Sequence, residues 1–208
     1  MRPEQVEQML KGLPYMKLKQ GQRLFDLICS RRLNRCLELG FYHGVSSAYI
    51  AGAIQELGSG ELITIDLESA RKLNPNIDFV LAGLDLAQFV KHYYEPTSYH
   101  WRLMKLLRDA PNELFDFCYI DGGHSWSVTG FAFCLVSKLL KPGAWLIFDD
   151  LDWTHDNMSV SHLKRVQQMP EEERQSKQVS LVFDLLARTD PTFTDFAVDG
   201  QWGIARKI

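Results

Sequence analysis

Short apolar runs that alternate with helix-like stretches restrict this chain's fold more than any other feature of it. Five such runs stand out: Arg35–Gly40, Glu61–Asp66, Phe89–Tyr94, Phe115–Asp121 and Ala144–Asp149. After the first, Tyr49, Ile50, Ala53, Ile54 and Leu57 recur at helical spacing, and Gly58 can close that helix in the left-handed conformation. After the fourth, Val128, Phe131, Leu135, Val136 and Leu139 repeat the pattern until Lys141-Pro142-Gly143 stops it. Strands apolar along nearly their whole length, separated by helices, predict a parallel sheet covered on both faces. The tail differs. Pro170 followed by three glutamates predicts a helix start, with Val179, Val182, Phe183 and Leu186 as its buried stripe. Phe193–Val198 and Trp202–Ile208, flanking Asp199-Gly200, predict a β-hairpin. The expected fold is α/β, with about five parallel strands, a C-terminal antiparallel hairpin and helices on both faces.

At 208 residues the chain reads as a single domain. Its expected parts are a helical segment over 1–32, a ligand-binding core over 33–150, a substrate lid over 151–169 and a helix plus hairpin over 170–208. Twenty-three basic residues against 26 acidic ones leave a net charge of −3. A nucleic-acid partner needs clustered positive charge, so none is expected; Lys17, Lys19, Arg23, Arg31, Arg32 and Arg35 read as a solvated helix face. No apolar run approaches the roughly 18 residues of a membrane helix, and the first residues lack a secretory apolar stretch. The expected location is cytoplasmic, with no membrane partner. Cys29, Cys36, Cys118 and Cys134 form no C-x-x-C pair and read as reduced thiols, Cys134 on an apolar helix face.

In open α/β sheets ligands bind beyond the carboxyl ends of the strands. Acids gather there: Glu38 near the first end, Asp66 at the second, Asp121 at the fourth, and Asp149-Asp150 at the fifth. The first loop reads Glu38-Leu39-Gly40-Phe41-Tyr42-His43-Gly44-Val45-Ser46-Ser47. Gly40 permits a tight turn and Gly44 entry into the helix, whose amides, with the hydroxyl of Ser46 or Ser47, can hold an anion. Tyr42 occupies the middle glycine of a G-x-G-x-x-G dinucleotide loop and would obstruct a pyrophosphate; a carboxylate is smaller. Asp66, 26 positions after Gly40, suits a ribose diol. A nucleoside bearing a carboxylate fits both, and S-adenosylmethionine is one.

Glu38-x-Gly40-x-x-x-Gly44, Ile65-Asp66 and the terminal hairpin together resemble the class I S-adenosylmethionine-dependent methyltransferases, a Rossmann-like fold. The resemblance implies that Glu38 and Gly40 shape the cofactor loop, and that Tyr42 and Ser46 lie by the methionine end. It further implies that Asp66 binds the ribose hydroxyls and that Ser98, after the third strand, contacts adenine. Asp121-Gly122-Gly123-His124 and Asp149-Asp150 resemble the metal-dependent O-methyltransferases that act on catechols and macrolide sugars. That likeness implies Asp121, Asp149 and Asp150 as ligands of magnesium or another divalent cation, with Asp121 also bordering the cofactor. Clustered carboxylates call for such compensation, and hard oxygen ligands suit Mg²⁺, Mn²⁺ or Ca²⁺. The likeness also implies His124 as the general base, against a blander role capping the following helix. His43 reads as a loop-packing residue. Trp126 and Trp153 are candidate walls of the acceptor pocket, and His155 a candidate lid residue.

The expected activity is metal-assisted O-methylation of a small hydroxylated molecule such as a sugar or natural product. The ion would act as a Lewis acid, and catalysis would rest largely on positioning. A homo-oligomer is compatible with this reading. The competing readings are a nicotinamide-dependent reductase, disfavoured by the missing middle glycine, and a catalytically silent binding protein on the same fold. A nucleic-acid or amino-group methyltransferase would carry an Asn/Asp-Pro-Pro-aromatic run where this chain has Asp121-Gly122-Gly123-His124.

Overall fold

The computed structural model describes residues 1–109, 115–156, 161 and 163–208. Among them, seven strands form one sheet: β1 (Arg35–Leu39), β2 (Glu61–Leu67), β3 (Val90–Glu95), β4 (Phe115–Ile120), β5 (Leu140–Phe148), β6 (Phe193–Asp199) and β7 (Trp202–Lys207). Their order is β3-β2-β1-β4-β5-β7-β6. The first five are parallel and β7 runs antiparallel between β5 and β6. The order reverses between β1 and β4, so their carboxyl ends diverge into the crevice where such sheets bind ligands.

Side chains along each strand alternate between two cores. Cys36, Leu62, Phe117 and Ile147 pack on one face with α2 (Leu18–Arg31) and α3 (Val45–Leu57), a core that α1 (Pro3–Met9) and α4 (Ile77–Gly83) also join. Leu37, Ile63, Cys118 and Leu146 pack on the other with α5 (Tyr99–Asp109) and α6 (Trp126–Leu139). Burial on both faces explains why the strands read as unbroken apolar runs. Among the described residues no helix is long and apolar enough to cross a membrane.

Three expectations need adjustment. The fifth strand begins at Leu140, not Ala144, because Leu140 pairs with Phe115 before a bulge that restores the register at Phe117 and Trp145. Gly143, at φ +84°, lies in that irregular stretch. The tail helix is not continuous: Glu171–Gln175 and Gln178–Val182 are separate, followed by a π-helical turn over Phe183–Ala187. Ser176 ends the first piece by turning its hydroxyl onto the Glu172 carbonyl, a local bond that competes with helix propagation. Val179, Val182 and Phe183 remain buried as expected. Cys36 and Cys118 are buried free thiols, but Cys134 is exposed on the outer side of α6.

Candidate active site

Glu38 is the innermost charged group. Position 38 shares a sheet face with Cys36, so its carboxyl points under α3 rather than into solvent, and it is fully buried. One oxygen, Oε2, accepts from Ser47 on α3 and, at 2.5 Å, from Thr64 on β2. The other, Oε1, is buried without a partner. Burial raises the carboxyl pKa to about 7, although the hydroxyls of Ser46, Ser47 and Thr64 pull it down. An ordinary glutamate is ionised well below neutrality; this one titrates far closer to it and has an idle oxygen.

Asp66 holds the loop above. Its Oδ2 accepts from the amides of Phe41 at 2.9 Å and Tyr42 at 2.7 Å, and Oδ1 from Leu67 at 2.6 Å. Those bonds fix Tyr42 at φ +46°, half exposed, with Tyr15 edge-on at 5.2 Å. His43 packs inward, its Nδ1 2.5 Å from the Pro75 carbonyl. Gly40, at φ +89°, lies so close to the next loop that a β-carbon would sit 2.1 Å from the Asp121 carbonyl oxygen. Gly44, at φ +90°, begins α3. Ser46 is buried. Ser98 accepts from the His100 amide at 3.1 Å and so caps α5.

Across the crevice, Asp121, His124 and Asp150 converge: each offers an atom, and all lie within 4.8 Å of one another. Nε2 of His124 is 3.0 Å from Asp150 Oδ2, yet it is buried and makes no aligned hydrogen bond. The geometry there is a charge contact with the N–H out of line. Asp150 has φ +60°, unusual for a residue other than glycine, which directs its carboxylate toward His124. Asp149 does not join the group. Its Oδ2 takes the Tyr119 hydroxyl and its Oδ1 the Asp150 amide at 2.7 Å. Burial, then the charges of Asp149 and Asp150, push the Asp121 carboxyl well above the usual carboxylate range. Burial also raises Asp149, against the opposing pull of the Tyr119 hydroxyl.

The indole of Trp153 stacks on His124, with centroids 4.8 Å apart and planes 18° from parallel, and His155 meets that indole edge-on at 4.5 Å. Both ring nitrogens of His155 and the Thr154 hydroxyl are buried without partners, and burial lowers the pKa of the imidazole. Helix α6 is capped by Ser125, whose hydroxyl accepts from Val128 at 3.4 Å, so His124 is not the cap. Trp126 is exposed. Of the expected lid, residues 157–160 and 162 lie outside the described residues. The sequence reading missed Thr64 and Tyr119. Their signal is positional, since each sits beside Glu38 in the strand register, a row of polar side chains across apolar strands.

A family profile described as a methyltransferase domain matches residues 37–151, more than half of the chain. No curated protein matches it. Among solved structures, it is similar to the O-methyltransferase TomG from Streptomyces achromogenes, involved in tomaymycin synthesis and solved with S-adenosylmethionine. Identity is 21%, coverage is 99% of this chain and 88% of that one, and the TM-score is 0.69. It is also similar to an O-methyltransferase from Bacillus cereus solved with S-adenosylhomocysteine, at 19% identity, 99% and 90% coverage and a TM-score of 0.69. A third is a Podospora anserina methyltransferase bound to S-adenosylhomocysteine, at 15% identity, 99% and 86% coverage and a TM-score of 0.69. The profile match, together with the strand order and the glycine loop that Asp66 clamps, places this chain in the methyltransferase-domain family of class I, S-adenosylmethionine-dependent enzymes.

Proposed function

We propose that the protein transfers the methyl group of S-adenosylmethionine to a hydroxyl of a small polar molecule, with help from a divalent cation at the Asp121 cluster. The observation that carries this reading is the convergence of Asp121, His124 and Asp150 across the crevice from the glycine loop. The residues present fit a cation: two carboxylates and an imidazole nitrogen without an aligned hydrogen bond share one small space, and like charges so placed call for compensation. When bound, the ion would supply Lewis acidity to the acceptor hydroxyl. The chain's own groups do the rest. Asp66 and the loop it clamps would border the nucleoside, and Glu38 beneath them would oppose its negative charge to the cofactor's positive one. The imidazole-carboxylate cluster would hold the ion and orient the acceptor hydroxyl beside it. Thr154 and His155 offer unpartnered hydrogen-bonding atoms on the His124 side, which suits a hydroxylated acceptor better than an apolar one.

Calorimetry with S-adenosylhomocysteine tests the cofactor half. Binding is expected, and Asp66→Ala should weaken it about tenfold or more, since a charge-assisted hydrogen bond contributes roughly 1.5–3 kcal/mol. Tight binding of NAD with none of S-adenosylhomocysteine would overturn the reading.

Glu38 adds a pH signature. Its folded pKa of about 7 lies above the ordinary 4.5, so the folded state holds this proton more firmly than the unfolded chain does. Stability contributed by the protonated form is complete below pH 4.5 and declines as pH rises through 7, by about 3 kcal/mol in all. A cationic cofactor favours the carboxylate. Its affinity should therefore rise between pH 6 and 8 and level off above, with proton release on binding. Glu38→Gln should flatten that profile; an unchanged slope in the variant would assign the proton elsewhere.

A further inference from the structure

We infer that His124 is a metal-binding residue, forming with Asp121 and Asp150 a mixed nitrogen–oxygen site that prefers a first-row transition ion to magnesium. The inference rests on the cation-assisted reading above and narrows it. Four observations converge. The three offering atoms lie within 4.8 Å of one another, close to the roughly 4.4 Å that two nitrogen or carboxylate ligands at about 2.2 Å on one ion can span. Nε2 of His124 is buried and unbonded although a carboxylate oxygen stands 3.0 Å away, so it faces the space between the acids. A base would instead present its free nitrogen to the acceptor. The stacked Trp153 holds the ring in that orientation before any ligand arrives. Finally, both oxygens of Asp149 are already engaged, by the Tyr119 hydroxyl and the Asp150 amide. The adjacent acid is thus tied into the fold and offers no atom to the cluster of three, where the imidazole stands instead.

This substitution has a chemical consequence. Three carboxylates suit magnesium, calcium or manganese, whereas an imidazole among carboxylates shifts the preference toward iron, cobalt, nickel, copper or zinc. Asp149 would then act indirectly, fixing the Asp150 backbone through its bond to that amide.

The test uses Mn²⁺ added to the full chain with S-adenosylhomocysteine. Electron spin-echo spectroscopy should show coupling of the ion to an imidazole nitrogen. The coupling should shift when histidine is ¹⁵N-labelled and vanish in His124→Ala, whose Mn²⁺ affinity should fall about tenfold or more. By calorimetry, wild type should bind Co²⁺ at least tenfold more tightly than Mg²⁺, and the variant should lose most of that preference. Bound Mn²⁺ without nitrogen coupling, or with coupling that survives in His124→Ala, overturns the inference and leaves the cation-assisted reading intact. No binding of any of these ions overturns both. The wild-type spectrum decides the matter even if the variant folds poorly.

Discussion

Turnover of His124→Ala is expected to fall by about 10²–10⁴-fold, with S-adenosylhomocysteine affinity nearly unchanged. The separation of effects follows from where the groups sit. Cofactor contacts are assigned to the loop held by Asp66 and to Glu38 beneath it, on β1, β2 and α3. His124 follows β4 and touches Asp150 and Trp153. Removing the imidazole takes away a group engaged only where the acceptor reacts, so the loss should appear in turnover rather than in cofactor binding. The measurement is S-adenosylhomocysteine formation, using the acceptor from a panel of catechols and sugars that wild type methylates fastest. Raising the Mn²⁺ concentration should restore part of the rate if the imidazole holds an ion, and none if it only moves a proton. A loss of merely a few-fold would remove His124 from the chemistry altogether.

Gly40→Ala should be more damaging to the fold than any other single methyl addition in the cofactor loop. The β-carbon would lie 2.1 Å from the Asp121 carbonyl oxygen and 2.7 Å from its carbon. Neither backbone can step aside easily. Gly40 donates to the Ile65 carbonyl and Asp121 to the Leu39 carbonyl, both at 2.8 Å. The residue also has φ +89°, where a side chain is strained regardless of space. Strain and overpacking together should cost about 4 kcal/mol or more, or roughly 10 °C in Tm for a chain of this size. Cofactor affinity should be lost as well, because the same glycine joins the cofactor loop to the Asp121 loop. A variant with wild-type Tm and wild-type affinity would show that this close approach is not required.

The sheet was legible because burial on both faces writes itself as apolar runs, as in Phe115–Ile120, and because Asp199-Gly200 names its own turn. The bulge in β5 was not, since Lys141-Pro142-Gly143 carries the same stop signal whether a loop or an irregular strand follows. At the site, acids at strand ends identified the crevice. What the sequence could not tell is which carboxylates are spoken for. Asp149 and Asp150 are adjacent and alike, yet one is consumed by Tyr119 while a left-handed backbone turns the other outward. That distinction depends on a residue 30 positions away, in a neighbouring strand. In the same way, Glu38 reads as a loop-shaping acid, and only the placement of Thr64 and Ser47 reveals that one oxygen is tied down and the other idle.

The hairpin of β6 and β7 makes the molecule mechanically lopsided. On the side of Asp66, β1, β2 and β3 are joined in sequence by their own helices and are paired in chain order. On the side of Asp150, the loop after β5 is tethered from far along the chain, the Leu151 amide donating to the Gln201 carbonyl at 2.9 Å, while Arg23 of α2 holds the hairpin turn through the Asp199 carbonyl at 3.1 Å. Opening of the hairpin would thus loosen the loop next to Asp150 while leaving the Asp66 clamp untouched, since local opening follows contiguous cooperative units. Wear on this protein should therefore show itself in a definite sequence. Opening at the hairpin should disturb the Asp121–His124–Asp150 arrangement before it reaches the loop that Asp66 holds.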